Sequence, residues 1–385
     1  MTSLLTELVR REPTMLDQLA TLVGLESPSP DLVATATAAE AVDALFTELL
    51  GHPAQRHDDG GRIHLRWQGG GPTRVLLIGH VDTVWPLGTL ARWPFDVVDG
   101  RATGPGVFDM KAGLVQGLHA LSLLDDLTGV TFVVTTDEET GSGTSRSLIE
   151  ESARGAEAAL VLEPSAGGAL KSARKGVSMY ELVVHGRAAH AGLEPEKGVN
   201  AAVELAHQVL ALEPLADPGL GTTVTPTQLS GGTTSNTVPA GARVAVDVRV
   251  ATPDEQVRVD AAIRGAVAHL RDARIEVLGG PNRPPLPAAS SAYLLSRARA
   301  IASELGIPPL RDVAVGGGSD GNFTAGVGVA TLDGLGAVGD GAHAEGEHVL
   351  VASMAERGAL VAGLVRDVLG RERVAGDAGA PYAAR

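Results

Sequence analysis

Hydrophobic and polar positions along this chain follow two rhythms. From Leu4 to Val23 apolar residues recur as on one face of a helix, and a second helix is expected near Thr35–Leu50. Short apolar runs at Ile63–Trp67, Val75–Gly79 and Val130–Thr135, and the stretch "AALVLE" ending at Glu163, read as buried strands. Helices are predicted between them at Gly113–Leu124 and Ser145–Glu151. Strands alternating with helices predict an α/β layer with a mostly parallel sheet and flanking helices.

The rhythm changes after Gly176. "VSMYELVVHG" alternates like a half-exposed strand, a helix is expected over Ala201–Leu212, and "TVTPTQLSGG" and "ARVAVDVRV" read as a strand pair. A helix over Pro253–Leu270 and a strand at Ile275–Leu278 complete a strand-helix-strand-strand-helix-strand order, the split βαβ, ferredoxin-like arrangement of a small α+β domain. "GGPNRPPLP" reads as a return linker, after which helix, strand and helix resume from Ala292. The expected organisation is therefore an α/β domain over residues 1–175 and 281–385, interrupted by an inserted α+β domain over 176–280.

Composition narrows the possibilities. A length of 385 residues exceeds what one core usually supports, which agrees with two domains. The net charge of -15 argues against a nucleic-acid backbone or an anionic membrane as partner. There is no cysteine, so disulfides and thiolate metal sites are excluded, and any metal must be held by His, Asp or Glu. The first thirty residues carry scattered charges instead of a continuous apolar segment, and no later run could span a bilayer, so a cytoplasmic protein is expected. The tail from Arg371 is small and polar and is expected to fray.

Candidate chemistry gathers at predicted strand ends. His80 and Asp82 in "LLIGHVDTVWP" lie two apart on one face of an extended segment, so Asp82 could orient His80. Asp109 follows a glycine-rich loop in "ATGPGVFDMKAG". Glu138 and Glu139 stand side by side in "TFVVTTDEETGSG", Glu163 ends a strand in "LVLEPS", and His343 sits in the loop "GDGAHAEGE". Each alone has an ordinary explanation: a structural histidine, a helix cap, a solvated charge. Together they gather beyond the carboxyl ends of strands, where open α/β sheets bind ligands. Oxygen and imidazole ligands without sulfur suit zinc, manganese or cobalt, and a carboxylate-rich set can hold two metals about 3.5–4 Å apart.

These segments resemble the zinc-dependent family of glutamate carboxypeptidases, acetylornithine deacetylase, succinyl-diaminopimelate desuccinylase and aminoacylase. The likeness runs through "GHVDTV", "GPGVFDMKAG", "TTDEETGS", "LEPS", "GRAAHAG", "SNTVPA", "DVRV", "GGSDGN" and "GAHA". It implies that His80 and Glu163 bind one zinc, Glu139 and His343 a second, and that Asp109 bridges them. It further implies Glu138 as general base, Asp82 as the partner of His80, His190 as an oxyanion donor, and a cis peptide between Asp109 and Met110. For the substrate's free carboxylate it implies Arg249, helped by Asn236 and the backbone of Gly317 and Gly318. Arg174 and Lys175 in "KSARKG" are expected to add positive charge, as in the glutamate carboxypeptidase branch.

The expected protein is a dinuclear zinc hydrolase acting on a small carboxylate-bearing substrate, with cobalt or manganese as possible substitutes. Deacylation of an N-acyl amino acid is the alternative that uses the same machinery, and a non-catalytic binding protein that kept the fold is the alternative of a different class. The resemblance also implies a homodimer formed through the inserted domain, in which His190 serves the neighbouring subunit.

Overall fold

The computed structural model describes residues 4–371, and the tail expected to fray lies outside the described residues beyond Arg371. The chain opens with helices α1 (Leu4–Val23) and α2 (Leu32–Leu50). Strands β1 (Gln55–Asp59), β2 (Arg62–Gln68), β3 (Val75–His80), β4 (Asp96–Val98) and β5 (Arg101–Thr103) follow. Next come α3 (Ala112–Leu121), β6 (Val130–Thr135), α4 (Arg146–Ala153), β7 (Ala158–Val161) and β8 (Leu170–Arg174). A second group holds β9 (Gly176–His185), α5 (Ala201–Leu212), β10 (Thr223–Gly231), β11 (Gly241–Val250), α6 (Pro253–Arg264) and β12 (Arg274–Arg283). The chain ends with α7 (Ala288–Leu305), β13 (Asp312–Val315), α8 (Gly321–Gly326), β14 (Thr331–Leu332), β15 (Gly339–Asp340), β16 (His348–Leu350) and α9 (Val351–Leu369).

Two compact units result. One is assembled from the chain up to Ala173, Leu286–Val315 and the chain from Ser319 onward; the other holds Arg174–Pro285 with Gly316–Gly318. In the first unit a six-stranded sheet has the order β1-β2-β6-β3-β7-β14. The neighbours β6, β3, β7 and β14 run parallel, while β1 and β2 add an antiparallel edge. β3 is buried along its whole length because both faces are covered. Val75 and Leu77 enter the core shared with α1, α2, α3, α7 and α9; Leu76 and Ile78 enter the core under α4 and α8. A smaller sheet of order β15-β16-β5-β4 stands apart from the large one.

The second unit is an antiparallel sheet of order β10-β11-β9-β12 with α5 and α6 packed on one face. Tyr180, Leu182 and Val184 of β9 and Val244, Val246 and Val248 of β11 point into that core. The alternate residues, including Asp247 and Arg249, therefore project from the other face.

Two sequence expectations are corrected here. The helix expected over Pro253–Leu270 stops at Arg264: Gly265 closes it, and the main-chain N–H groups of His269 and Leu270 turn instead to the buried carboxylate of Glu204, at 3.0 and 2.6 Å. The stretch read as a linker from Gly279 is a strand as far as Arg283. β12 is an edge strand, so Pro281 breaks no ladder that a central strand would need. Gly279 adopts a left-handed φ of 78°, and a Cβ there would meet the carbonyl oxygen of Met179 at 2.2 Å. Its glycine is a feature of sheet packing and does not end the element.

Candidate metal centre

Three adjacent parallel strands deliver most of the site. β3 ends in His80, β6 leads within four residues to Glu138 and Glu139, and β7 leads to Glu163. Asp109 arrives from the loop after β5, and His343 from the loop between β15 and β16. The small sheet brings those two loops together, because β16 pairs with β5.

Asp109 is central to the cluster. His80 Nε2 lies 3.3 Å from Asp109 Oδ1 and 3.6 Å from Glu163 Oε1. His343 Nε2 lies 3.4 Å from Asp109 Oδ2 and 3.1 Å from Glu139 Oε2. Each oxygen of one carboxylate thus faces a different imidazole. The Asp109–Met110 peptide is cis, as the family likeness implied. Gly106, at φ 72°, turns the preceding chain where a Cβ would strike Thr83 Cγ2 at 2.5 Å.

The electrostatics demand positive charge. Contacts with Asp109 and Glu139 raise the His343 imidazole to about 10. Burial would lower His80, but contacts with Asp109, Asp82 and Glu163 outweigh it and hold that imidazole well above its ordinary value. Burial acts against ionised Asp109, yet His343 and His80 keep its carboxyl below the usual range. Glu139 is raised, chiefly by burial.

His80 Nε2, Asp109 Oδ1 and Glu139 Oε1 are buried without a hydrogen-bond partner. Such orphaned atoms are costly unless something else satisfies them. Two groups have ligand atoms all within 4.8 Å of one another: His80, Asp109 and Glu139; and His80, Glu138 and Glu163. Donor types, spacing and unsatisfied atoms all fit metal ions bound by oxygen and imidazole.

The acidic run divides its labour in a way the sequence did not reveal. The Asp137 carboxylate is buried and accepts from Thr144 N and Oγ1 at 2.8 and 2.7 Å and from Ser145 N and Oγ at 3.3 and 2.6 Å. It anchors the start of α4. Asp82 accepts from Ser29 Oγ at 2.6 Å and from the N–H groups of Glu138 and Glu139 at 3.3 and 3.2 Å. His80 Nδ1 is nearer the main-chain carbonyl of Asp82, at 2.9 Å, than Asp82 Oδ1, at 3.5 Å. A carbonyl can only accept, so it places the proton on Nδ1 and leaves Nε2 toward Asp109 and Glu163. Asp320, in the "GGSDGN" stretch, accepts from Thr135 Oγ1 at 3.0 Å and from Ser142 Oγ, bracing the same turn. Only partner-by-partner geometry assigns Asp137 and Asp320, since their chain neighbours are equally polar.

The remaining predicted residues belong to the second unit. His190 is exposed, and its Nδ1 accepts from the N–H groups of Gly192 and Leu193, both at 3.1 Å. The N–H of Ala191 donates to the carbonyl of Asn236 at 2.9 Å, which joins those two stretches. Arg249 pairs with Asp247 through Nε at 2.9 Å and Nη2 at 2.8 Å. Arg174 is buried and donates through Nη1 to the carbonyls of Gly317 and Gly318 at 3.1 and 3.2 Å.

No helix among the described residues is long and apolar enough to cross a membrane. The model of peptidase family M20/M25/M40 matches residues 76–367. Carboxypeptidase G2 of Pseudomonas sp. (strain RS-16) is 32% identical over 376 residues, covering 93% of this chain and 90% of that protein. Succinyl-diaminopimelate desuccinylase 2 of Shewanella loihica is 34% identical over 203 residues, covering 46% of this chain and 53% of that protein. In fold, the chain is similar to an aminopeptidase of Bacillus cereus, with a TM-score of 0.74 at 22% identity over 93% of this chain and 99% of that one. It is also similar to a metallo-carboxypeptidase of Sulfolobus solfataricus, with a TM-score of 0.73 at 16% identity over 91% of this chain and 98% of that one. The chain belongs to peptidase family M20/M25/M40 and is a metal-dependent peptidase or amidohydrolase.

Proposed function

We propose that the protein is a dinuclear zinc hydrolase that cleaves the amide or peptide bond next to a carboxylate-bearing amino acid, as a glutamate carboxypeptidase does. The observation that carries this reading is Asp109, whose two oxygens each face a different histidine. His80 and Glu163 would hold one ion, Glu139 and His343 the other, and Asp109 both. Zinc bound there would polarise the scissile carbonyl and lower the proton affinity of water.

The chain's own residues supply the rest. Glu138 takes a proton from the attacking water and returns it to the leaving nitrogen. Asp82 aims that carboxylate by gripping the main chain beneath it. With Nδ1 of His190 accepting two N–H groups, the proton of the neutral ring sits on Nε2, a donor suited to a developing oxyanion. Arg249, held by Asp247 through Nε and Nη2, keeps Nη1 for the substrate's carboxylate, with Asn236 and the N–H groups of Gly317 and Gly318 assisting. The proposal includes a homodimer formed through the second unit, cytoplasmic action, and cobalt or manganese as substitutes. Removal of a succinyl or other acyl group from an amino acid is the second reading, favoured by the likeness to a desuccinylase.

Purified protein is stripped with a chelator, reloaded with zinc or cobalt, and offered a panel of peptidyl and N-acyl amino acids while amine release is followed. Activity on C-terminal glutamyl or related substrates, lost on stripping and restored by metal, supports the first reading. Preference for N-acyl substrates supports the second. Full activity in verified metal-free protein overturns both.

A further inference from the structure

Glu347 is fully buried, yet its carboxylate takes no part in the chemistry proposed above. It lies four residues past His343 at the base of the β15–β16 hairpin, next to the first residue of β16. Its Oε1 accepts from the main-chain N–H groups of Phe108 and Asp109 at 2.8 and 2.9 Å. Its Oε2 accepts from Gly106 N at 3.1 Å and from the indole Nε1 of Trp85 at 2.9 Å. A carboxylate enclosed this completely survives burial only because these four donors replace water. It thereby ties three segments together: the His343 hairpin, the loop that presents Asp109, and the chain just after Asp82.

We infer that Glu347 is a positioning residue that sets the spacing of Asp109 and His343, and so governs affinity for the ion those two would share with Glu139. The inference rests on the two-metal reading proposed above. The carboxylate reaches the ligand set from one side: it grips the N–H of Asp109 and shares a hairpin with His343, while His80 and Glu163 are held by β3 and β7. One metal equivalent should therefore depend on Glu347 more than the other. Trp85 sits on the same carboxylate and is a natural reporter of any adjustment there.

The test titrates cobalt(II) into metal-free wild type, E347Q and W85F, with bound metal measured by equilibrium dialysis, tryptophan emission recorded, and fold checked by circular dichroism. In E347Q an amide NH2 must face a pair of N–H donors, so two of the four hydrogen bonds are lost. The expected result is a folded variant in which one equivalent binds about 10–100-fold more weakly, the usual effect of removing a group that orients a ligand, while the other stays near wild type. A purely structural role would lower thermal stability and leave metal affinity alone. A folded E347Q with both equivalents at wild-type affinity overturns the inference. If E347Q does not fold, W85F decides: it removes one of the four donors, and one cobalt equivalent should bind it more weakly than wild type while the other is unchanged. Wild-type affinity for both equivalents in a folded W85F overturns the inference. Wild type that binds no cobalt at all overturns the two-metal reading and this inference with it, a result distinct from failure of the variants alone.

Discussion

Three consecutive acidic residues fall into two arrangements. Asp137 turns back to hold Thr144 and Ser145, whereas Glu138 and Glu139 leave the strand end in a tight turn pinned by Asp82. The turn frees the two glutamates from the alternation of a strand, so both can reach one site. Substituting Glu138 by Gln should preserve the bound metal while lowering kcat by roughly 10²–10⁴, the usual worth of a general acid–base group. Glu139→Gln should instead loosen the metal. Metal analysis beside steady-state kinetics on the two variants separates the roles, and the reverse pattern would exchange them. Asp137→Asn should leave the chemistry in place but turn an NH2 toward a donor. A loss of about 1–3 kcal/mol in unfolding free energy is expected, read from denaturant midpoints.

At the scale of elements, the helices carry their own titration. His119 in α3 is held neutral: burial, reinforced by Arg11, lowers its imidazole to about 4, and Nε2 contacts Gln18 Oε1 at 2.8 Å. Between the unfolded value of 6.5 and about 4, the unfolded chain binds more protons than the folded one. Stability therefore falls as pH drops through that window and is fully present above it. Denaturant midpoints of wild type and His119→Gln at pH 7 and pH 5 test this: the wild type should lose more on acidification, and equal losses would refute it. The elements themselves were largely readable, since apolar runs and helical spacing depend on local sequence. The second half of the edge strand β12 was not: Gly279 and Pro281 look like loop chemistry until β9 is seen beside them.

At the scale of the whole molecule, the proposed dimer makes a sharp test. If each active site borrows His190 from its neighbour, Glu138→Ala and His190→Ala homodimers are each nearly inactive. In a mixed dimer, the subunit carrying His190→Ala retains Glu138 and receives His190 from its partner, so one of the two sites is whole. Co-expression should recover a substantial fraction of activity. Verified mixed dimers with no recovery would return His190 to its own chain or remove it from the chemistry.

The sequence by itself determined the class of fold and the kind of ligand. Apolar runs buried on both faces require helices over a sheet, and a chain without cysteine leaves only oxygen and imidazole to hold a metal. The candidate ligands could be named because each sits where a recognisable strand or glycine-rich loop ends. Only the tertiary structure decided what surrounds them. Glu347 and Asp320 are ordinary acidic residues in polar stretches, and their partners lie in segments up to 262 residues away. A carboxylate's role follows from which donors enclose it, and that enclosure exists only after distant loops have been brought together.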